Sequence, residues 1–81
     1  MAEKRVVVGL VQTSPTRDPD LNMKLAMEKV RLAAGRGAQI VCLPELYRTL
    51  YFPQRDHEDV RALAETIPGP STNAFSALAR E

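Results

Sequence analysis

The sequence of 81 residues is poor in everything that staples a small chain together. It holds one cysteine, Cys42, so no disulfide can close within the chain. One cysteine and one histidine, His57, fall short of the usual zinc ligand set. Charge of one sign is missing as well. The 11 Lys and Arg against 10 Asp and Glu leave a net charge of +1, so no electrostatic pull toward nucleic acid or an anionic membrane is expected. No apolar run approaches the length of a membrane span. The run Val6 to Val11 is too short and too β-branched for a signal peptide, and no small-residue cleavage site follows it; a cytoplasmic protein is expected. No glycine-rich loop follows that run, which argues against a phosphate cradle and a doubly wound nucleotide-binding half. Repeats, linkers and low-complexity segments are absent too. A chain this short hides only about 60% of its unfolded surface and is marginal without help.

What is present reads as an α/β unit. Residues 5–12 form a continuous apolar, β-branched run of strand length, the pattern of a strand covered on both faces. Turn chemistry follows, with Asp18 as a helix cap and Pro19 at the first helical position. A helix is predicted over 19–34. Met23, Ala26, Met27, Val30, Ala33 and Ala34 make one apolar stripe. Leu21, Leu25 and Leu32 fall on roughly the opposite side, ready for another helix or subunit unless they are leucines tolerated at a surface. Gly35 or Gly37 ends the helix, and residues 38–43 make a second buried strand. Strand, helix and strand with short loops imply a parallel βαβ unit. Beyond it lie a helix start at Asp56, apolar positions Val60, Leu63, Ala64 and Ile67, and a stop at Pro68-Gly69-Pro70. A last helix over 73–81 is capped by Ser71 or Thr72, with Phe75, Leu78 and Ala79 inward.

Among candidate chemical groups, Glu45 has the best position. Functional groups of parallel α/β sheets collect just past the carboxyl ends of strands, and Glu45 follows Pro44 at such an end. Between an apolar strand and the aromatic loop of Tyr47, Tyr51 and Phe52, a carboxylate would be partly desolvated and suited to acid–base work. The plainer reading pairs Glu45 with Arg48. Cys42 reads as a core residue, since free cysteine is among the most buried types and no activating neighbour is close in sequence. The run Asp56-His57-Glu58-Asp59 reads as a solvated helix start, because adjacent helical residues point apart and cannot converge on a metal. Gly9 marks a close backbone approach or a bulge.

The residues resemble the N-terminal part of the nitrilase superfamily of carbon–nitrogen hydrolases. The likeness runs through Val8-Gly9-Leu10-Val11-Gln12, Asn22, the Gly37-Ala38-Gln39 strand ending in Leu43-Pro44-Glu45, and Ile67-Pro68-Gly69-Pro70-Ser71-Thr72. The segment Glu45 to Gln54 resembles the N-carbamoylputrescine amidase branch, with Tyr47 where Phe is usual and Pro53 where Cys is usual. The likeness spans nearly all of this chain as the first quarter to third of a family member. It implies that residues 1–81 are the N-terminal part of a single hydrolase domain, and that the fold is the βαβ start of a four-layer α-β-β-α sandwich, incomplete here. It also implies pairing of subunits through outer helices, and a Glu-Lys-Cys catalytic set without metal or organic cofactor. Glu45 takes the place of the glutamate, a general base, and Tyr51 that of an aromatic residue lining the substrate pocket. The implied reaction is hydrolysis of a non-peptide amide or ureido bond. N-carbamoylputrescine is the expected substrate, with β-ureidopropionase or carbamoyl amino acid hydrolase chemistry as the alternative. The family's lysine and cysteine lie past the position of Glu81, so the 81 residues alone are expected to be inactive and either unfolded or prone to aggregate. A non-catalytic module that completes a sheet elsewhere is the alternative of another class.

Overall fold

A computed structural model describes residues 3–50 and 61–81. Along these the order is β1 (Val8–Leu10), α1 (Pro19–Gly35), β2 (Ile40–Cys42), a 3-10 turn at Arg61–Leu63, and α2 (Pro70–Ala79). The α/β character and the parallel pairing agree with the sequence reading. Val8 stands opposite Ile40, Gly9 opposite Val41, and Leu10 opposite Cys42. Val11 N donates to Cys42 O at 2.9 Å and Gln39 N to Val7 O at 2.8 Å, prolonging the ladder at both ends.

Helix α1 begins and ends where its residue types dictate. Asp18 Oδ1 accepts from Asp20 N at 3.0 Å and Leu21 N at 3.2 Å, which satisfies two otherwise orphaned donors. Pro19, with no N–H to orphan, starts the first turn. At the far end Gly37 takes φ 98° and donates to Ala34 O at 3.0 Å. Glycine enters that left-handed region without the steric penalty of a Cβ. Ala26 is fully buried on the predicted stripe. Met23, Met27, Val30 and Ala33 are half-buried, and Ala34 is exposed. A Cβ on Gly9 would lie 3.0 Å from Ala38 Cβ and 3.1 Å from Ala33 Cβ. Gly9 therefore marks close packing of α1 on β1.

Several expectations need correction. Each strand is three residues long, shorter than the apolar runs around it, and the sheet is not covered on both faces. Val8, Leu10 and Ile40 are 53%, 81% and 56% exposed. Side chains alternate along a strand, and α1 shields only the Gly9 and Val41 face. Cys42 shares the open face with Leu10 and is exposed rather than part of a core. Among the described residues, the helical pattern around Leu63 yields the 3-10 turn at Arg61–Leu63 and does not continue to Ile67, which is 87% exposed. Helix α2 starts at Pro70 with Gly69 as its cap, two residues before Ser71 and three before Thr72. Pro70 fits the first helical position, and an added Cβ on Gly69 would fall 2.2 Å from Thr66 O, so glycine is required there. Leu78 is buried as expected, Phe75 is half-buried and Ala79 is exposed. The expected helix start at Asp56 and the positions of Tyr51, His57 and Val60 lie outside the described residues.

The described apolar residues that are buried are Val11, Ala26 and Leu78. The radius of gyration is 14.9 Å, against about 12 Å for a compact domain of this length. So small a core cannot offset backbone ordering of about 1–2 kcal/mol per residue. The 81 residues expressed alone are therefore expected to show no cooperative thermal transition as a monomer, with light scattering reporting association. A sharp, concentration-independent melt would overturn this expectation.

Candidate active site

Strand β2 ends at Cys42, and after Leu43 and Pro44 the chain turns through residues 45–48. Leu46 takes φ 56°, a region that a bulky side chain enters only under constraint. The constraint comes from both sides of the turn. Thr49 N donates to Leu46 O at 3.3 Å. The Tyr47 ring meets Phe75 of α2 edge to face, centroids 5.3 Å apart. The Arg48 carbonyl accepts from Asn22 Nδ2 of α1 at 2.7 Å.

Asn22 is 4% exposed and uses its amide fully. Oδ1 accepts from Thr16 N at 2.7 Å and Thr16 Oγ1 at 2.9 Å, while Nδ2 donates to Thr16 O at 2.8 Å and to Arg48 O. Flipping the amide would set N–H against N–H and oxygen against oxygen, so this orientation follows from the partners. Asn22 thus ties the loop after β1 to the turn after β2.

Glu65 joins the same turn to α2. Its Oε1 accepts from Ser71 N and its Oε2 from Ser71 Oγ, both at 2.7 Å. The serine has one hydroxyl proton and gives it to Glu65, so the Tyr47 hydroxyl donates to Ser71 Oγ. Glu65 Oε2 also lies 3.0 Å from Arg48 Nη1, and Arg48 Nη2 lies 3.1 Å from Asp20 Oδ1. The Arg48 and Glu65 side chains are 17% and 21% exposed, and that of Asp20 is 87% exposed. The Ser71 hydroxyl and N–H, with the Arg48 guanidinium, hold the Glu65 carboxyl below the usual carboxylate range despite its burial. Burial alone would lower the Arg48 guanidinium, but its bonds to Glu65 and Asp20 outweigh that and keep it above its ordinary value.

The sign of the resulting pH dependence follows. A carboxyl whose folded value is depressed stabilises the fold fully above the ordinary glutamate value, and that stabilisation is lost as pH falls through the folded value. In the full-length protein the melting temperature is expected to drop on acidification below the ordinary glutamate range, and less steeply in Glu65→Gln. Equal acid slopes in the two proteins would contradict this role.

Glu45 is exposed, and its carboxylate has no hydrogen-bond partner among the described residues. The expected shelter is not supplied by them, because Tyr47 turns onto Phe75. The plainer reading of Glu45, a pair with Arg48, is also not what forms, because Arg48 binds Glu65 and Asp20 instead. A cleft of about 510 Å3 opens beside the turn, lined by Leu46, Tyr47, Arg48, Leu63 and Glu65 among others, with Glu45 outside it. The Cys42 thiol lies 3.6 Å from Leu43 O. Tyr51 lies outside the described residues. Among the described residues no cluster of metal-ligating side chains occurs and no helix is long and apolar enough to cross a membrane. Glu65, the bonds Ser71 makes to it and the burial of Asn22 were not legible in the sequence. The available signal was a polar residue, Asn22, two positions from the first-turn acid Asp20 and four from buried Ala26.

The sequence pattern of the carbon-nitrogen hydrolases matches residues 7–81. The omega-amidase NIT2 of Xenopus tropicalis is 39% identical over 85 residues, covering 100% of this chain and 27% of its own length. The N-carbamoylputrescine amidase of Solanum lycopersicum is 36% identical over 84 residues, covering 100% and 28%. A nitrilase of Pyrococcus abyssi is 40% identical over 72 residues, covering 86% and 27%. The chain spans about a quarter of the length of these relatives. No solved structure matches it significantly.

Proposed function

The chain belongs to the carbon–nitrogen hydrolase family, and on that premise we propose that residues 1–81 are the N-terminal part of a single amidohydrolase domain in which Glu45 is the general base. The observation that carries the proposal is the state of Glu45. It stands at the carboxyl end of β2, exposed, with the neighbouring cation Arg48 already taken by Glu65 and Asp20. A carboxylate with no ion-pair partner is free to turn toward a thiol set beside it.

In the proposed reaction Glu45 takes the proton of a cysteine thiol supplied by the rest of the protein. The thiolate attacks the carbonyl carbon, and a lysine ammonium from the same region steadies the oxyanion. The C–N bond breaks and the nitrogen leaves with the proton Glu45 held. Glu45 then takes a proton from water, whose oxygen attacks the thioester-type carbon; the C–S bond breaks, and the thiolate regains its proton from Glu45. The proposed substrate is N-carbamoylputrescine, with Tyr51 lining its pocket: one nitrogen leaves on thiolate attack, and the carbamic acid freed by water loses carbon dioxide and releases the other, so that putrescine, ammonia and carbon dioxide result. An ω-amide substrate is the second reading, favoured by the omega-amidase relatives at 38–41% identity.

Two surfaces support the wider architecture. The open face of Val8, Leu10, Ile40 and Cys42 is the side on which a second sheet would stack in a four-layer sandwich. Leu21, Leu25 and Leu32 on the outer side of α1 are 40%, 40% and 54% exposed and would carry pairing with a second copy. The experiment is to read the gene past the codon for Glu81 and assay the full-length product on N-carbamoylputrescine, N-carbamoyl-β-alanine and an ω-amide acid. Turnover of the first supports the proposal, and preference for the ω-amide transfers it to the second reading. A reading frame that closes at Glu81, or one without a downstream lysine and cysteine, would overturn both.

A further inference from the structure

Arg48 lies three residues past Glu45 in the same turn, and a guanidinium is the natural partner for an exposed carboxylate at that spacing. In the structure that pairing does not form. The backbone of the turn is held by Asn22 and Tyr47, so the Arg48 side chain is not needed to shape it. The guanidinium is drawn the other way, onto Glu65 and Asp20. The two anions are unequal. Asp20 is 87% exposed, and an ion pair in water holds its partners only weakly. Glu65 is 21% exposed, and its carboxylate is fixed by both Ser71 donors at the start of α2. A carboxylate there is favoured by the unpaired N–H groups of the helix terminus. Glu65 is thus the anchored, partly desolvated partner, and the one able to hold a buried cation.

We propose that Glu65 is a positioning residue for Glu45: by holding the Arg48 guanidinium against α2, it keeps that cation from closing onto the base three residues earlier. The inference rests on Glu45 acting as the base. Removing the Glu65 charge leaves Arg48 partly buried with only solvent-exposed Asp20, and Glu45 becomes the nearest alternative anion in sequence. A base locked in an ion pair is both weaker and misdirected, so the loss falls on the chemical step and not on substrate binding.

The test uses the full-length protein and kinetics on its preferred amide. Glu65→Gln keeps the bond from Ser71 N and removes the charge. Its kcat is expected to fall about tenfold or more while KM stays within about twofold, the pattern of a lost chemical-step contribution. Glu65→Asp, which keeps the charge, is expected to retain most of kcat. Adding Arg48→Met to Glu65→Gln removes the freed cation and is expected to return kcat to within about threefold of wild type, a non-additive result that reports direct coupling. If Glu65→Gln does not fold, the shorter isosteric pair Glu65→Asp and Glu65→Asn reads the same charge difference. A double variant no better than Glu65→Gln, or a Glu65→Gln enzyme with wild-type kcat, overturns the inference while leaving the base assignment standing. A Glu45→Gln enzyme that still turns over removes the base assignment, and this inference falls with it.

Discussion

Glu45→Gln in the full-length protein is expected to lower kcat by about 10³-fold, within the range that a lost general base removes, with little change in KM. Glutamine matches glutamate in shape but cannot take a thiol proton at neutral pH. Stability should hardly move, because Glu45 is exposed and makes no hydrogen bond among the described residues. Exposed substitutions of this kind shift stability by about 0.5 kcal/mol or less. The combination separates two roles that a simple activity loss would merge. A structural glutamate gives lost stability with proportional loss of active enzyme, whereas a base gives an intact fold and an empty kcat. Steady-state kinetics beside a thermal melt of the same preparation decides it. Wild-type turnover in Glu45→Gln would rule out the proposed role outright.

The second large effect is expected on stability. Asn22→Ala should destabilise the full-length protein by about 2–4 kcal/mol, since several partly buried groups lose their partners at once and each unsatisfied group costs about 1–3 kcal/mol. The groups are Thr16 N, Thr16 O and Arg48 O, all now bonded to one amide. The change also releases the Arg48 carbonyl from α1 and loosens the turn that carries Glu45. Asn22→Asp keeps the acceptor for Thr16 N but sets a carboxylate oxygen against the two carbonyls, and should destabilise at least as much as Asn22→Ala. Chemical denaturation monitored by far-UV dichroism measures both. A shift below about 1 kcal/mol in Asn22→Ala would mean that water replaces the amide without loss.

The contrast between Asn22 and Glu45 shows what kind of information a sequence carries. Helix α1 was legible nearly to the residue, because its signals are local: a capping aspartate, a proline at the first turn, an apolar stripe at helical spacing, and a glycine free to turn left-handed. The parallel strand pair was legible for the same reason, since a helix between two short apolar runs permits little else. Cys42 is exposed among the described residues because α1 covers only the other face of the strand pair; continuous hydrophobicity says that a run wants cover, without saying what supplies it. The region around Leu63 was misread because its helical spacing was overridden by Glu65 reaching forward to Ser71, six residues away. The cap of α2 was misplaced for a related reason: the acceptor for Ser71 N is a distant carboxylate and not the serine or threonine side chain of the helix itself.

By its sequence alone, then, this protein is a βαβ unit of a carbon–nitrogen hydrolase with a glutamate at the end of its second strand. Periodicity, caps and motif spacing are properties of neighbouring residues and survive without a fold. Which partner Arg48 takes is not such a property. Glu45 and Glu65 are both carboxylates, and Glu45 is much the nearer in sequence. Only the packing of the turn between α1 and α2 brings Glu65 to 3.0 Å and leaves Glu45 free. A charge chooses its partner by distance and desolvation in three dimensions, and both are decided by tertiary structure.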